Sequence, residues 1–314
     1  MALITACFNT LLCVRHRRLT RIFRKRLGRL PNYAAPQGYN DKIQWRKLFD
    51  RNPLFPVFLD KIAVRGHVAR ITPGLKMPDL LWTGTNPEAI PFDRLPGRYV
   101  IKPNCRSGCN HFVLSPSDAD PPAISKMCRK WLAGPFGQAE KEWGYLPVER
   151  RLMVEAFLDS HPEENRTRDF RFHVFNGRVH LITAADCKIT GTRRVQLGMA
   201  TYYDREWRQL PYFNTRLQSG VPSAMPRPHR LDTMISAAET LASGIDHLRV
   251  DLYLVEDHVY FGELTVYPTS GLVAYAVMDV PGLAPVEDFD TALGRPWQLP
   301  EISTARRLYR GLFG

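Results

Sequence analysis

A chain of 314 residues, 44% apolar and 24% charged, has the composition of an ordinary globular protein, which excludes a disordered, fibrous or low-complexity one. Single cores stop growing at roughly 250–300 residues, so the length predicts two lobes with a cleft between them. Forty-three Lys and Arg against 31 Asp and Glu give a net charge of +12, which favours polyanionic partners without choosing among nucleotide, anionic sugar, nucleic acid and lipid headgroup.

The apolar stretch from Met1 to Val14 is too short to span a bilayer, and its positive charge follows it, the reverse of a secretory signal. Neither export nor a spanning helix is expected. From Leu11 to Leu30, the residues Leu12, Leu19, Ile22, Phe23, Leu27 and Leu30 recur among arginines. This spacing predicts a basic amphipathic helix, which suits an anionic membrane face through Arg15 to Arg29 and equally a helix packed on its own protein. Pro31 to Gly38, with two prolines and a glycine, reads as a linker, so the folded body is expected from Tyr39. Asn40 or Asp41 is expected to cap a helix carrying Trp45, Leu48 and Phe49 on one face, ended by Asn52-Pro53. Val57 to Ala69 reads as a second helix.

From Tyr99 the pattern becomes strand, polar loop (Lys102 to Asn110) and strand (Phe112 to Leu114), with another strand over Leu152 to Leu158. Asn176-Gly177 lies between alternating segments and predicts a hairpin with Asp169, Arg171 and His173 on one face and Phe170, Phe172 and Val174 on the other. Leu231 to Ile245 has the three-four spacing of an amphipathic helix. It feeds a second hairpin, Arg249 to Val255 and Val259 to Leu264, turning through Glu256, Asp257 and His258. The domains expected are a basic segment and linker (1–38), a first lobe with its helices (39–150) and a second lobe with the second hairpin (151–314).

The six cysteines form no CxxC pair and no regular framework, which fits a reducing cytoplasm. Cys105, Cys109 and His111 are compatible with zinc or with loop cysteines that hold no metal. In the second hairpin, a turn centred on Asp257 pairs Val255 with Val259, Tyr253 with Phe261, Asp251 with Glu263 and Arg249 with Thr265. Two carboxylates face to face repel unless something positive lies between them. A divalent cation such as Mg²⁺, held by two carboxylates and nucleotide phosphate, resolves the conflict. So does Arg249 or another arginine, and a register shift of one residue would separate the acids. Lys102, just before Asn104, Ser107 and Gly108, sits where loop N–H groups close over phosphate, or where an ordinary turn lies.

Taken in order, these segments resemble the ATP-grasp superfamily and, within it, the TupA-like group linked to teichuronopeptide and capsular polysaccharide synthesis. The phrases that carry it are YNDKIQWRKLFDRNP (Tyr39 to Pro53), DKIAVRGHV (Asp60 to Val68), VIKPNCRSG (Val100 to Gly108), MVEAFL (Met153 to Leu158), RDFRFHVFNG (Arg168 to Gly177) and RVDLYLVEDHVYFGELTVYPTSG (Arg249 to Gly271). The resemblance implies an α+β fold of two lobes, with ATP and Mg²⁺ in the cleft between antiparallel sheets. It implies Lys61 and Lys102 on ATP phosphates, Asn104, Ser107 and Gly108 in the loop over them, Glu155 at the hinge that holds adenine, and Arg171 with the nucleotide-binding residues. Asp251 and Glu263 match the metal carboxylates and Arg249 a phosphate-side cation. Many relatives place Asn two residues after the second carboxylate, where this sequence has Thr265, a poorer magnesium ligand. Ser270 and Gly271 are expected to offer donors to the substrate carboxylate.

The implied reaction is formation of an acyl phosphate and its capture by an amine, the substrates being an acidic sugar or peptide and an amine, in the cytoplasm or at the inner face of the membrane. Two other readings stand beside it. One is a kinase using the same cleft. The other is a basic, non-enzymatic binder of membrane or nucleic acid, although aromatics interleaved with the basic clusters are few and no specific nucleic acid is expected.

Overall fold

The computed structural model describes residues 2–134, 136–158, 166–196, 200–215 and 224–313. Five helices open the chain: α1 (Ala2–Arg15), α2 (Arg17–Leu27), α3 (Tyr39–Phe49), α4 (Phe55–Leu59) and α5 (Ala63–Ile71). The single basic helix expected from the spacing is two, because His16 leaves the helical path and buries its ring, with Nε2 2.8 Å from the Gly311 carbonyl. The stretch 31–38 is not a free linker either. Tyr33 is fully buried in a cluster with Leu12, Leu19, Trp45, Leu48 and Phe49, and the Asn9 side chain accepts the Tyr33 N–H at 2.7 Å. The basic segment is therefore part of the body, and the apolar stripe of α2 packs on its own protein.

The expected helix over 57–69 breaks at Asp60-Lys61. The Asp60 carboxylate accepts the Ile62 and Ala63 N–H groups at 2.8 and 3.2 Å, so it caps α5 and turns Lys61 out of the helical run. In α3 the cap is Gly38, while Asn40 and Asp41 lie inside the first turn. Nearly every residue of α3 is buried, polar ones included. A buried polar group needs a partner. Here the partners are backbone carbonyls: Asn40 donates to Val273 at 3.2 Å, Gln44 to Ser270 and Gly271 at 3.0 and 2.9 Å, and Arg46 to His247 and Val266 at 2.8 and 3.2 Å. The helix is a clamp across the chain that follows the second hairpin.

The smaller sheet has four antiparallel strands, β1 (Leu80–Gly84), β2 (Tyr99–Pro103), β3 (His111–Val113) and β4 (Leu152–Ala156), in the order β1-β4-β2-β3. Alternation sorts its faces. Tyr99, Ile101, Leu152 and Val154 pack under α6 (Pro121–Leu132) with Ile124 and Cys128, while Val100, Lys102 and Glu155 face the other way. Because β4 belongs here, the lobes part after Ala156 and not at residue 150.

The larger sheet contains β5 (Arg166–Phe175), β6 (Arg178–Thr190), β7 (Arg193–Gln196), β8 (Thr201–Tyr203), β9 (Gln209–Leu210), β11 (His247–Val255) and β12 (His258–Thr265), with β10 (Tyr212–Asn214) forming a separate pair with β13 (Tyr275–Val277). Its order is β12-β11-β5-β6-β8-β9, with β7 on β6. One face, carrying Phe170, Phe172, Val174, Leu248 and Val250, buries itself with α7 (Leu231–Leu241). The chain closes with α8 (Phe289–Gly294) and α9 (Thr304–Phe313).

The first hairpin turns at Asn176-Gly177 as expected. In the second, Asp251 faces Glu263 and Arg249 faces Thr265, as the spacing predicts. Nearer the turn, however, Tyr253 faces Tyr260 and Leu252 faces Phe261. The turn holds only Glu256 and Asp257, and a bulge at Gly262 restores the register. Only glycine fits there, since a Cβ would lie 2.8 Å from the Asp251 carbonyl oxygen.

Burial, reinforced by nearby cations, pushes His16 down to about 4, His173 to about 3 and His247 well below the usual imidazole range. Their folded values lie below the unfolded one of about 6.5, so the unfolded chain takes up protons first as pH falls. Stability is therefore full above about pH 6.5 and is lost below it, by up to about 1.4 kcal/mol per histidine per pH unit. Urea midpoints at pH 7.5 and 5.5 should differ accordingly; equal midpoints would mean that these rings are charged in the fold.

Candidate active site

The cleft lies between the two sheets. Val100, Lys102, Phe112 and Glu155 line it from the smaller sheet, Tyr253, Val255, Phe261 and Gly262 from the larger, Lys61 from the α4–α5 break and Arg65 from α5. The space it encloses, open mouth included, is ≈ 820 Å³. Ala156, Phe157 and Leu158, where the chain crosses between lobes, form one wall. Val100, Phe112, Leu114 and Phe157 make an apolar patch suited to a flat ring.

Glu155 does not stand free at this hinge. It pairs with Lys102, diagonal to it across β2 and β4, and accepts from Arg65 Nη1 at 3.1 Å. The Lys61 ammonium donates to the Arg106 carbonyl at 2.8 Å, and burial lowers its pKa. Asn104 is a correction to the expected loop. It is fully buried, donates to Asp60 and to the Glu149 carbonyl, each at 2.9 Å, and accepts from the Arg151 N–H. It ties the loop down and does not line the cleft. Ser107 and Gly108 form the exposed tip, where Gly108 has φ 71°. Among the described residues, no three His, Cys, Asp or Glu side chains converge as metal ligands, so Cys105, Cys109 and His111 do not form a zinc site.

Beyond Lys61 and Gly262, which line both spaces, the cleft continues into a second cavity walled by Arg249, Glu263, Thr265, Ser107 and Ser270, with Ile22 and Arg26 of α2 on its rim. Here Asp251 and Glu263 meet. Arg249 lies across them, its Nε and Nη2 each donating to Asp251 at 2.7 Å and Nη2 also to Glu263 at 2.9 Å. Thr265 donates to Glu263 at 3.1 Å. Burial raises Asp251 to about 6 against the pull of Arg249. Burial also pushes Glu263 upward, but Lys61 and Arg249 outweigh it and hold Glu263 below the usual range. The arginine alternative for neutralising the pair is thus the one seen. The donor set also fits Mg²⁺, which takes one or two carboxylates and completes its shell with phosphate and water.

On the far side of Arg249 is a third cavity, lined by Arg171, His173, Thr183, Tyr202, Asn214 and Tyr275 among others. Arg171 belongs here and not in the cleft between the two sheets. It sits opposite Asp251 across β5 and β11 and donates to Asp169 at 3.1 Å.

Ser270 lines the second cavity inside an unusual turn, with Thr269, Ser270 and Gly271 all left-handed at φ 49°, 58° and 58°. Two non-glycine residues in that region cost roughly 1–2 kcal/mol each. Lys47 holds the turn, donating to the Ser270 carbonyl and hydroxyl, each at 2.7 Å. Its own pKa falls to about 8 through burial. Gly271 is packed against Ile43 and Gln44, whereas Ser270 of the expected substrate pair lines the second cavity. Sequence reasoning missed Arg65, Lys47 and Gln44. For the last two the signal was present: Asn40, Gln44 and Lys47 recur at four and three residues, a polar stripe at core spacing.

The TupA-like ATPgrasp family model matches residues 41–279. No curated protein matches the sequence. Solved structures with a related chain path include a D-alanine–D-alanine ligase from Bacillus anthracis (15% identity, TM-score 0.39, 67% of this chain and 57% of that one). Others are an L-amino acid ligase from Bacillus licheniformis (15%, 0.41, 68% and 44%) and an ADP complex of N5-carboxyaminoimidazole ribonucleotide synthetase (11%, 0.44, 72% and 50%). The chain spans about half the length of these structures. Since the match covers most of the sequence and the two sheets enclose the expected cleft, the chain belongs to the TupA-like ATP-grasp family and carries the ATP-grasp fold.

Proposed function

We propose that the protein is an ATP-dependent ligase that joins a carboxylate to an amine through an acyl phosphate, in the assembly of a surface or capsular polysaccharide. The observation that carries this reading is the continuity of the site. A cleft with an apolar patch and two lysines leads past Glu263 to Arg249 and Asp251, and then to a cavity holding a second arginine. Adenine fits the hinge wall, and the phosphates run toward Lys61 and Lys102. The polysaccharide context rests on the family resemblance, with an acidic sugar or peptide as the carboxylate partner.

In the first step a carboxylate oxygen attacks the γ-phosphorus and the bond to ADP breaks. In the second the amine nitrogen attacks the acyl carbon, the bond to phosphate breaks and the nitrogen gives up its proton. Catalysis of this kind is mostly positioning and charge neutralisation. Lys61 and Lys102 hold phosphate oxygens, Arg249 faces the transferred group, and Ser270 orients the substrate carboxylate. Magnesium, held by Asp251 and Glu263 with Thr265 beside them, would neutralise phosphate charge when bound.

The test is calorimetric ATP binding with and without Mg²⁺, for the wild type and for Asp251→Asn combined with Glu263→Gln. Magnesium-dependent binding should appear in the wild type and be lost in the double variant. A folded wild type that binds no ATP overturns the reading. ADP release that requires acid and amine together marks a ligase, whereas release with a hydroxyl substrate and no amine marks a kinase.

A further inference from the structure

The nucleotide site does not use α1, yet α1 is built in a way that a solvated helix is not. Its inner face is anchored: Leu12 is fully buried with Phe8 and Cys13 beside it, and Asn9 binds the backbone at Tyr33 and Ala34. Its outer face carries Leu3, Ile4, Cys7, Leu11 and Val14, and at 100° per residue these fall on one stripe about 100° wide. Leu3, Ile4 and Val14 are 78%, 74% and 68% exposed and Leu11 is 49% exposed. Isolated exposed aliphatics are ordinary, but a continuous stripe on a rigidly docked helix marks an interaction surface.

Charge identifies what covers it. No acidic residue occurs before Asp41, whereas eight Lys and Arg lie between Arg15 and Arg29. Arg17, Arg18, Arg21, Arg24 and Lys25 are all exposed on α2, which follows α1 after the His16 break. An aliphatic stripe beside a dense positive field complements an anionic lipid surface, with acyl chains under the stripe and headgroups around the arginines. A second copy of the chain fits poorly. Self-pairing would bring two such positive fields together, which like-charge repulsion opposes. Nucleic acid would use the arginines and leave the stripe idle.

We propose that α1 lies in the plane of an anionic membrane with Leu3, Ile4, Cys7, Leu11 and Val14 inserted and the cations of α2 on the headgroups. The membrane contact is thus made by α1, because the apolar face of α2 is taken up by its own core. Fourteen residues of helix, about 21 Å, are too short to cross the bilayer, so the contact is one-sided. Ile22 and Arg26 of the same α2 stand on the rim of the second cavity, which places that opening beside the lipid-facing segment.

The experiment is co-sedimentation of the full chain with phosphatidylcholine vesicles, with and without phosphatidylglycerol. It compares the wild type with a combined Leu3→Ser, Leu11→Ser and Val14→Ser variant, which keeps the net charge and changes only exposed side chains. The wild type should bind the anionic vesicles and not the neutral ones, and the variant should bind at least about tenfold more weakly with an unchanged melting curve. Leu11→Trp should show a blue-shifted emission on the anionic vesicles alone. A wild type that does not sediment overturns the proposal. So does a variant that binds as tightly as the wild type, since charge alone would then suffice. A wild-type dimer that the variant converts to monomer assigns the stripe to a second copy and overturns it as well. None of these readouts depends on ATP, so the outcome is separate from that of the ligase reading.

Discussion

Arg46→Met is expected to destabilise the protein by about 3–5 kcal/mol, the cost of removing one partner from a buried ion pair. The Arg46 side chain is fully buried, pairs with Asp246 and lies within reach of Asp50, and it donates to two backbone carbonyls. Its guanidinium also stacks over Trp297 and Phe55, with centroids 4.6 and 5.0 Å away. Methionine fills much of the volume but leaves Asp246 and Asp50 without their cation. Lysine should not rescue it, because a point charge cannot reproduce the planar fork. Urea unfolding at pH 7.5 measures the loss, and a change below about 1 kcal/mol would show that the pair contributes little. Adding Asp246→Asn to the methionine variant should recover part of the loss, since the orphaned charge is its main source.

Arg249→Met acts on the site itself. Without the arginine, Asp251 and Glu263 face each other with Lys61 and Lys102 acting on Glu263 and Arg171, across the strand pair, on Asp251. The expected loss is about 3 kcal/mol, most of it from Asp251, because Glu263 is partly exposed and water screens its share. Magnesium with ATP should restore more stability to this variant than to the wild type, while turnover falls by roughly 10²–10³ through loss of charge stabilisation on the transferred group. Melting curves with and without Mg-ATP separate the two effects. Equal stabilisation of both proteins would mean that the cation does not sit between the carboxylates.

The parts legible in the sequence were those fixed by short-range rules. Period-two alternation and Asn176-Gly177 located the first hairpin, and the pairing of Asp251 with Glu263 followed from counting along the second. That count reached the right pair by way of a turn one residue too long, which the bulge at Gly262 offsets. A bulge leaves little trace in a pattern, so the error was invisible from the turn side. Other misses share one cause. His16, Asp60 and Tyr33 take their conformations from partners remote in sequence or from side-chain caps, and periodicity does not register these. The polar residues of α3 look solvent-facing until their carbonyl acceptors in 247–273 are known. Asn104 looked like a phosphate ligand for the converse reason, since a buried asparagine that knots a loop has the same spacing as one that reaches a ligand.

The turn at Thr269 to Gly271 is held in shape from outside, by Lys47 and Gln44 of a helix that is itself fixed in the core. Its conformational cost is met during folding, so a ligand that met Ser270 would have no loop to order and would lose none of its affinity to that process. The turn is braced on the Ser270 and Gly271 carbonyls before any ligand arrives. Selectivity there would follow from the shape and charge of the incoming group, and adaptation to different ligands would fall to the lobes on either side of the cleft.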